Sequence, residues 1–103
     1  MLYAVVVLDP ESLSATSKIQ SLVDDGHTIK RVFFYKHGVI ACQLPHTPEW
    51  TRIARECNLE LICCSGSVER RNVEIPANSG FELGGLGLLA ECFIECDEVL
   101  QFG

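Results

Sequence analysis

Two adjacent cysteines, Cys63 and Cys64, end an apolar, strand-like run over residues 59–64, and an arginine pair, Arg70 and Arg71, stands shortly after them. If a helix starts after Cys64, its thiol lies in front of a helix N-terminus. Unpaired backbone N–H groups and the helix dipole favour a thiolate over a thiol there. Since the thiolate is the form that attacks and carries sulfur, the segment predicts a nucleophilic cysteine at Cys64.

Small residues follow the predicted nucleophile and can present backbone amides to a thiolate, persulfide or phosphate. They are Ser65, Gly66 and Ser67. Arg70 and Arg71 would raise the local positive potential or dock an acidic partner. Each feature also has a purely structural interpretation: the small residues as an ordinary strand-to-helix turn, the arginines as a solvated helix end, and Cys64 as a small core residue.

The other cysteines are expected to be structural. Cys63 alternates to the opposite side of the strand from Cys64, which predicts a core position. A disulfide between these two is not expected, because neighbouring Cα atoms lie ~3.8 Å apart, closer than the usual disulfide range. The remaining four are Cys42, Cys57, Cys92 and Cys96.

Composition excludes several classes of protein. Six cysteines among 103 residues is a high number, but they lie in apolar segments rather than in the loop-rich sequence of a secreted disulfide scaffold, so we expect reduced thiols. No C-x-x-C occurs, and Cys92 and Cys96 offer two ligands at most, so no metal is predicted. Fourteen acidic against eight basic residues give a formal charge of −6, which disfavours direct nucleic-acid binding.

No apolar run reaches transmembrane length, so no membrane association is expected. The N-terminal segment lacks a basic leader and a cleavage site, and it reads as a first strand; we expect cytoplasmic residence.

Strands alternate with helices in the hydrophobic pattern, over one predicted domain of residues 1–103. Strands are predicted at 2–8, 29–35, 59–64 and 97–102, and helices at 14–25, 47–57, 65–72 and 84–95. Residues 39–46 fit either a short strand extension or a loop, and residues 73–80 fit a loop. The alternation predicts an α/β fold with a mostly parallel sheet of about five strands, flanked by helices on both faces.

Chemistry in such a sheet belongs at the carboxyl ends of the strands, where Asp9, His37 and Cys64 fall. His37 can titrate near neutrality, but a surface turn histidine is the simpler interpretation. The stretch from Gly85 to Ala90 fits the loose dinucleotide pattern G-x-G-x-x-A. The chain ends before the expected ribose-binding acid, so no nucleotide, flavin or other cofactor is predicted.

Three stretches resemble the DsrE/TusD family of sulfur-relay proteins. Residues 25–39, DGHTIKRVFFYKHGV, are similar to the family's second-strand signature, and GFELGGLGLLAE at 80–91 with CDEVLQF at 96–102 resembles its C-terminal end. Between them, Cys64 followed six residues later by the arginine pair matches the spacing around the family's sulfur-accepting cysteine. The motifs also occur in the family's order.

The resemblance implies a DsrE-like three-layer sandwich and a sulfurtransferase that carries a persulfide on Cys64. The sulfur would pass to an acceptor cysteine, in tRNA 2-thiouridine formation or in dissimilatory sulfur oxidation. Implied partners are sister subunits of the TusB/TusC or DsrF/DsrH kind in an oligomer, and a TusE/DsrC-like acceptor. The alternative is a non-catalytic structural or regulatory subunit on the same fold.

This sequence departs from the family pattern in its loops. The segments after His37 and Val73, and the loop near Asp9-Pro10, look shorter than is usual, and Cys63 directly before the reactive position is unusual. These loops would frame the active cysteine and the subunit contacts, so the oligomer type and the acceptor stay open.

Overall fold

The computed structural model describes residues 1–10 and 13–103. Within them lie the strands β1 (Leu2–Val7), β2 (Thr28–Phe34), β3 (Glu60–Cys64), β4 (Phe81–Gly84) and β5 (Glu98–Phe102). The helices are α1 (Leu13–Asp24), α2 (Thr47–Cys57), α3 (Ser65–Arg71) and α4 (Leu86–Glu95), and a 3₁₀ helix, Lys36–Cys42, follows β2. No helix in the described part of the chain is long and apolar enough to cross a membrane.

The strands form one sheet in the order β4-β3-β2-β1-β5, and every neighbouring pair is parallel. The connections through α1, α2 and α3 all step in one direction across the sheet, whereas α4 connects β4 back to β5. With right-handed crossovers, the first three helices therefore cover one face and α4 covers the other. The predicted α/β sandwich with a parallel sheet of five strands is confirmed.

The larger core lies between the sheet and the first three helices. Strand β1 is paired with β2 so that Val5 lies beside Val32 and Val7 beside Phe34. The Phe34 ring meets Trp50 of α2 edge-on, with the ring centroids 5.0 Å apart. These side chains are all buried, and burying such apolar surface is the main favourable term in folding.

The opposite face packs against α4 through a close approach at Gly84. A Cβ atom at this glycine would lie 2.5 Å from a methyl carbon of Leu88 and 2.8 Å from one of Ile62. The absence of a side chain at Gly84 thus lets α4 turn back tightly over β3.

Two segments differ from what the sequence pattern indicates. Of the two alternatives left open for residues 39–46, the strand extension is not formed: residues up to Cys42 belong to the 3₁₀ helix, and turns follow. A short apolar run does not by itself distinguish a strand from a buried helical turn. Strand β4 was not predicted because it has four residues, lies at the sheet edge and exposes Leu83. It also shortens the last helix, which starts at Leu86 rather than at residue 84.

Candidate functional site

Cys64 is the last residue of β3 and the residue directly before α3. Its backbone is extended, with φ −62° and ψ 116°, and it lies beside Gly84 of β4 in the parallel register. The thiol is free, and 4% of the residue is exposed. By the alternation of the strand, Cys64 shares a face with Ile62 and therefore lies on the α4 side of the sheet.

Cys63 points to the other side, as predicted, and is fully buried. It forms a disulfide with Cys42, the last residue of the 3₁₀ helix. The expectation that all the cysteines are reduced is therefore wrong for this pair. The two cysteines are 21 residues apart in the chain, and only the fold of the 3₁₀ helix over the end of β3 brings them together.

The three small residues after Cys64 have different environments. Ser65 is exposed, Gly66 is half-buried and Ser67 is fully buried. The Ser67 hydroxyl accepts a hydrogen bond from the backbone N–H of Lys36, over 3.0 Å. Lys36 has a left-handed backbone, with φ 51°. Ser67 therefore joins α3 to the start of the 3₁₀ helix, a structural contact that its sequence position did not indicate.

The two arginines lie in the last turn of α3, and both are exposed. Arg70 folds back along the helix: its Nη2 atom would lie 3.3 Å from a Cβ atom placed on Gly66. The structure thus brings the Arg70 guanidinium to the second residue after Cys64. Arg71 occupies the exposed end of the helix.

Two other residues that were predicted at the carboxyl ends of strands, Asp9 and His37, lie there in the structure. Asp9 follows β1 after one residue, and His37 is exposed on the 3₁₀ helix. A separate open groove of about 510 Å³ is lined by none of the predicted site residues. Its lining is Gln43, Leu44, Glu74, Ile75 and Pro76. Among the described residues, no group of three or more His, Cys, Asp or Glu side chains could hold a metal ion.

Arg31 is a buried arginine whose structural role the sequence analysis did not identify. It is 5% exposed and links β2 to β3 and to α4. It donates to Glu60 of β3, with Nε 2.8 Å and Nη2 2.7 Å from Oε2, and to the backbone oxygen of Leu88 in α4 over 3.0 Å. Burial alone would lower the pKa of Arg31, but the hydrogen bond and charge of Glu60 outweigh it and raise that pKa. The only sequence signal is the pair of adjacent charges, Lys30 and Arg31, in a strand whose second half is apolar.

The family model described as the DsrE/DsrF-like family matches residues 1–102. The chain belongs to the DsrE/DsrF-like family. Curated relatives named sulfurtransferase TusD, among them those of Salmonella dublin and Salmonella typhi, are 30% identical over 128 residues, covering 99% of this chain and 100% of the relative. Because 128 exceeds the 103 residues of this chain, the alignment includes positions that this chain lacks.

Solved structures agree on the fold. The ychN protein from E. coli superposes with a TM-score of 0.79 at 20% identity, covering 99% of this chain and 100% of that one. A protein of unknown function from Methanobacterium thermoautotrophicum gives a TM-score of 0.76 at 16% identity, covering 98% of this chain and 97% of that one. The DsrE-like architecture is therefore present, and with the TusD relatives it supports a sulfur-relay role.

Two free cysteines outside the site are expected to react slowly with iodoacetamide at neutral pH. Burial raises the pKa of the Cys57 thiol, and the negative charges of Glu56 and Asp24 add to the effect. Burial likewise raises the pKa of Cys96, with a contribution from Cys92. A raised pKa lowers the thiolate fraction at neutral pH, so labelling should increase only as the pH rises above the ordinary thiol range.

Peptide mapping after timed labelling across neutral to alkaline pH measures both cysteines separately. The urea-unfolded chain is the control, because unfolding restores their ordinary pKa. Labelling of the folded chain at neutral pH as fast as that of the unfolded chain would contradict the prediction.

Proposed function

We propose that this chain is a sulfur carrier in which Cys64 accepts sulfane sulfur as a persulfide and passes it to an acceptor cysteine. Family membership and the TusD relatives support the relay role. The observation that carries the assignment to Cys64 is its position: a free thiol at the carboxyl end of β3, directly before α3, with the Arg70 guanidinium folded back to Gly66.

The transfer consists of two thiol exchanges. The Cys64 thiolate attacks the outer sulfur of a persulfide donor, the donor S–S bond breaks, and the donor leaves as a thiolate. Cys64 now holds one extra sulfur as a persulfide. The acceptor thiolate then attacks that terminal sulfur, the bond to the Cys64 sulfur breaks, and Cys64 leaves as a thiolate. The transferred sulfur keeps its oxidation level in both steps. Neither step is therefore a net oxidation or reduction, and no cofactor is consumed.

Positive charge near Cys64 assists both steps, because each begins or ends with an anionic sulfur. Arg70 lies over Gly66, and Ser65 and Gly66 begin α3 with backbone N–H groups that have no partner within the helix. We assign to Ser65, Gly66 and Arg70 the role of stabilising the sulfur anion. Ser67, which is fully buried and accepts a hydrogen bond from the Lys36 N–H, supports this role by holding the start of α3 in place. Arg71, exposed at the end of α3, is assigned to docking of an acidic partner.

Access limits which molecules can exchange sulfur with Cys64, since 4% of this residue is exposed. A donor or acceptor must present its reacting sulfur on a slender group or a flexible segment. A TusE/DsrC-like acceptor and sister subunits of the TusB/TusC or DsrF/DsrH kind are the partners proposed, in tRNA 2-thiouridine formation or dissimilatory sulfur oxidation.

The proposal is tested by loading the purified chain with inorganic polysulfide, removing the excess and measuring intact mass. We expect one added sulfur atom, which fragmentation of the peptide assigns to Cys64 rather than to Cys63, and which a small acceptor thiol removes. An added sulfur found only on Cys57, Cys92 or Cys96 would overturn the assignment.

The alternative function, a structural or regulatory subunit without transfer activity, is favoured by the burial of Cys64. It predicts no stable loading of the folded chain and loading of several cysteines after unfolding. The same experiment therefore separates the two functions.

A further inference from the structure

Leu88 of α4 packs into the space that Gly84 leaves open beside Cys64. A Cβ atom on Gly84 would lie 2.5 Å from Cδ1 of Leu88 and 3.5 Å from its Cγ, so the end of the leucine side chain takes the place of a side chain on β4. Gly84 is the register partner of Cys64, and neighbouring strands lie only about 4.8 Å apart. The Leu88 side chain therefore lies next to the position of the thiol.

The same contact reaches the strand that carries Cys64. A Cβ atom on Gly84 would also lie 2.8 Å from Cγ2 of Ile62, which shares the α4 side of β3 with Cys64 because the two are two residues apart. In the first turn of α4, Leu86 is 51% exposed and Gly87 has no side chain, whereas Leu88 is half-buried. Leu88 is therefore the first side chain of α4 that reaches the sheet, and it does so over the end of β3.

Leu88 is held in this position through its backbone. Its carbonyl oxygen accepts a hydrogen bond from Nη1 of Arg31 over 3.0 Å and from the thiol of Cys92 over 3.3 Å. Its N–H donates to the carbonyl oxygen of Gly85 over 3.1 Å. Because both polar groups of the residue are bonded, the side chain withdraws from Cys64 only by changing its own rotamer.

Tyr35 lies on the opposite side of Cys64. Strand β2 pairs with β3 up to Phe34, which lies beside Cys63, and Tyr35 continues in an extended conformation, with φ −132° and ψ 150°. Continuing the register by one residue places Tyr35 beside Cys64 and on the same face of the sheet. The Tyr35 ring packs toward that of Phe33, with the centroids 6.4 Å apart.

We propose that Leu88 and Tyr35 form the two walls of a narrow slot over Cys64, and that Leu88 determines the size of the sulfur donor that the slot admits. This inference rests on the sulfur-carrier function proposed above. A thiol that is 4% exposed between two such walls is reached by an unbranched chain of sulfur atoms, as in inorganic polysulfide. A persulfide carried on a branched organic group meets the Leu88 side chain first. Leu88 is thus a specificity-determining residue that takes no part in the sulfur exchange itself.

Alkylation of Cys64 tests the slot without sulfur chemistry. The rates of labelling by iodoacetamide and by a bulky aromatic maleimide are measured by peptide mapping, and their ratio is compared with that of the urea-unfolded chain. We expect the folded wild-type chain to discriminate against the maleimide. Leu88→Ala should reduce this discrimination about tenfold or more, the effect of a methylene's worth of space in an apolar pocket. Leu88→Val should reduce it less, and Leu88→Met, which is similar in volume, should retain it.

The matched control is Leu89→Ala, the same change at the next residue of α4, which is also half-buried. It should keep the wild-type ratio, because it loses comparable packing without widening the slot. Equal ratios in Leu88→Ala and the wild type overturn the proposal, as does an equal loss of discrimination in Leu89→Ala. A wild-type chain that discriminates no better than the unfolded chain also overturns it.

Sulfur donors of two sizes test the consequence for the substrate. The wild-type chain should load Cys64 faster from inorganic polysulfide than from glutathione persulfide, and Leu88→Ala should narrow this difference. If Cys64 loads sulfur but Leu88→Ala keeps the wild-type donor preference, the role of Leu88 is overturned and the sulfur-carrier function stands. If Cys64 loads sulfur in no variant, although the alkylation ratio responds to Leu88→Ala, the sulfur-carrier function is overturned and the control of access by Leu88 stands.

Discussion

Replacing Cys64 with serine is expected to abolish persulfide loading and to reduce sulfur transfer to an acceptor thiol by about a thousandfold or more, as loss of a covalent nucleophile does. The serine oxygen cannot hold a sulfane sulfur, and of the free cysteines that the structure describes, only Cys64 lies directly before a helix. Serine is close to cysteine in size, so the end of β3 should keep its conformation. Intact mass after polysulfide treatment and the rate of sulfur release to a thiol acceptor measure the two effects.

Cys57→Ser is the matched control, because it removes a different free thiol from the chain. It should load and transfer sulfur as the wild-type chain does. Equal loading of Cys64→Ser and wild type would contradict the assignment and point to Cys63 or to incidental reactivity. Cys63 becomes available only when its disulfide with Cys42 is reduced, so repeating the measurement with and without prior reduction separates those two sources.

Much of the fold follows from local sequence patterns. Buried parallel strands are nearly continuous apolar runs, and the runs at 2–8, 29–35 and 59–64 predict β1, β2 and β3 closely. Asn58 ends α2 in the left-handed conformation, with φ 53°, a helix-ending conformation that glycine adopts most often and asparagine sometimes. Strand β4 is not a continuous apolar run, because it is an edge strand that pairs only with β3. The residues that follow it are mostly glycines and leucines and do not mark where the strand ends.

The position of the candidate nucleophile was also predictable, because a strand end followed by small residues is a local feature. The surroundings of Cys64 were not. The folding of Arg70 over Gly66 depends on a side-chain conformation, and the Cys42–Cys63 disulfide on the path of the 3₁₀ helix. The contacts of Arg31 join residues up to 61 positions apart. Such contacts arise from the tertiary fold, on which a single sequence carries little information.

Gly38→Ala is expected to destabilise the protein by about 3 kcal/mol or more, at the upper end of the cost of overpacking a core. A Cβ atom on Gly38 would lie 1.9 Å from the backbone oxygen of Val7 and 2.6 Å from its carbonyl carbon. That oxygen already accepts a hydrogen bond from the N–H of Tyr35, over 3.0 Å. Relief of the clash therefore requires the backbone of β1 or of the 3₁₀ helix to move, because no flexible side chain can yield instead.

Gly38→Ala should affect persulfide loading at the candidate site as well as the stability of the protein. The 3₁₀ helix that carries Gly38 is tied to α3 by the hydrogen bond from Lys36 to Ser67, so displacing this helix should also slow persulfide loading of Cys64. Urea unfolding gives the stability change, with Gly85→Ala as the control, since a Cβ atom there meets nothing within 4 Å. If Gly38→Ala unfolds at the same urea concentration as Gly85→Ala, the close approach to Val7 does not constrain the fold. If it is destabilised but loads sulfur at the wild-type rate, the 3₁₀ helix stabilises the carboxyl end of β1 without positioning α3.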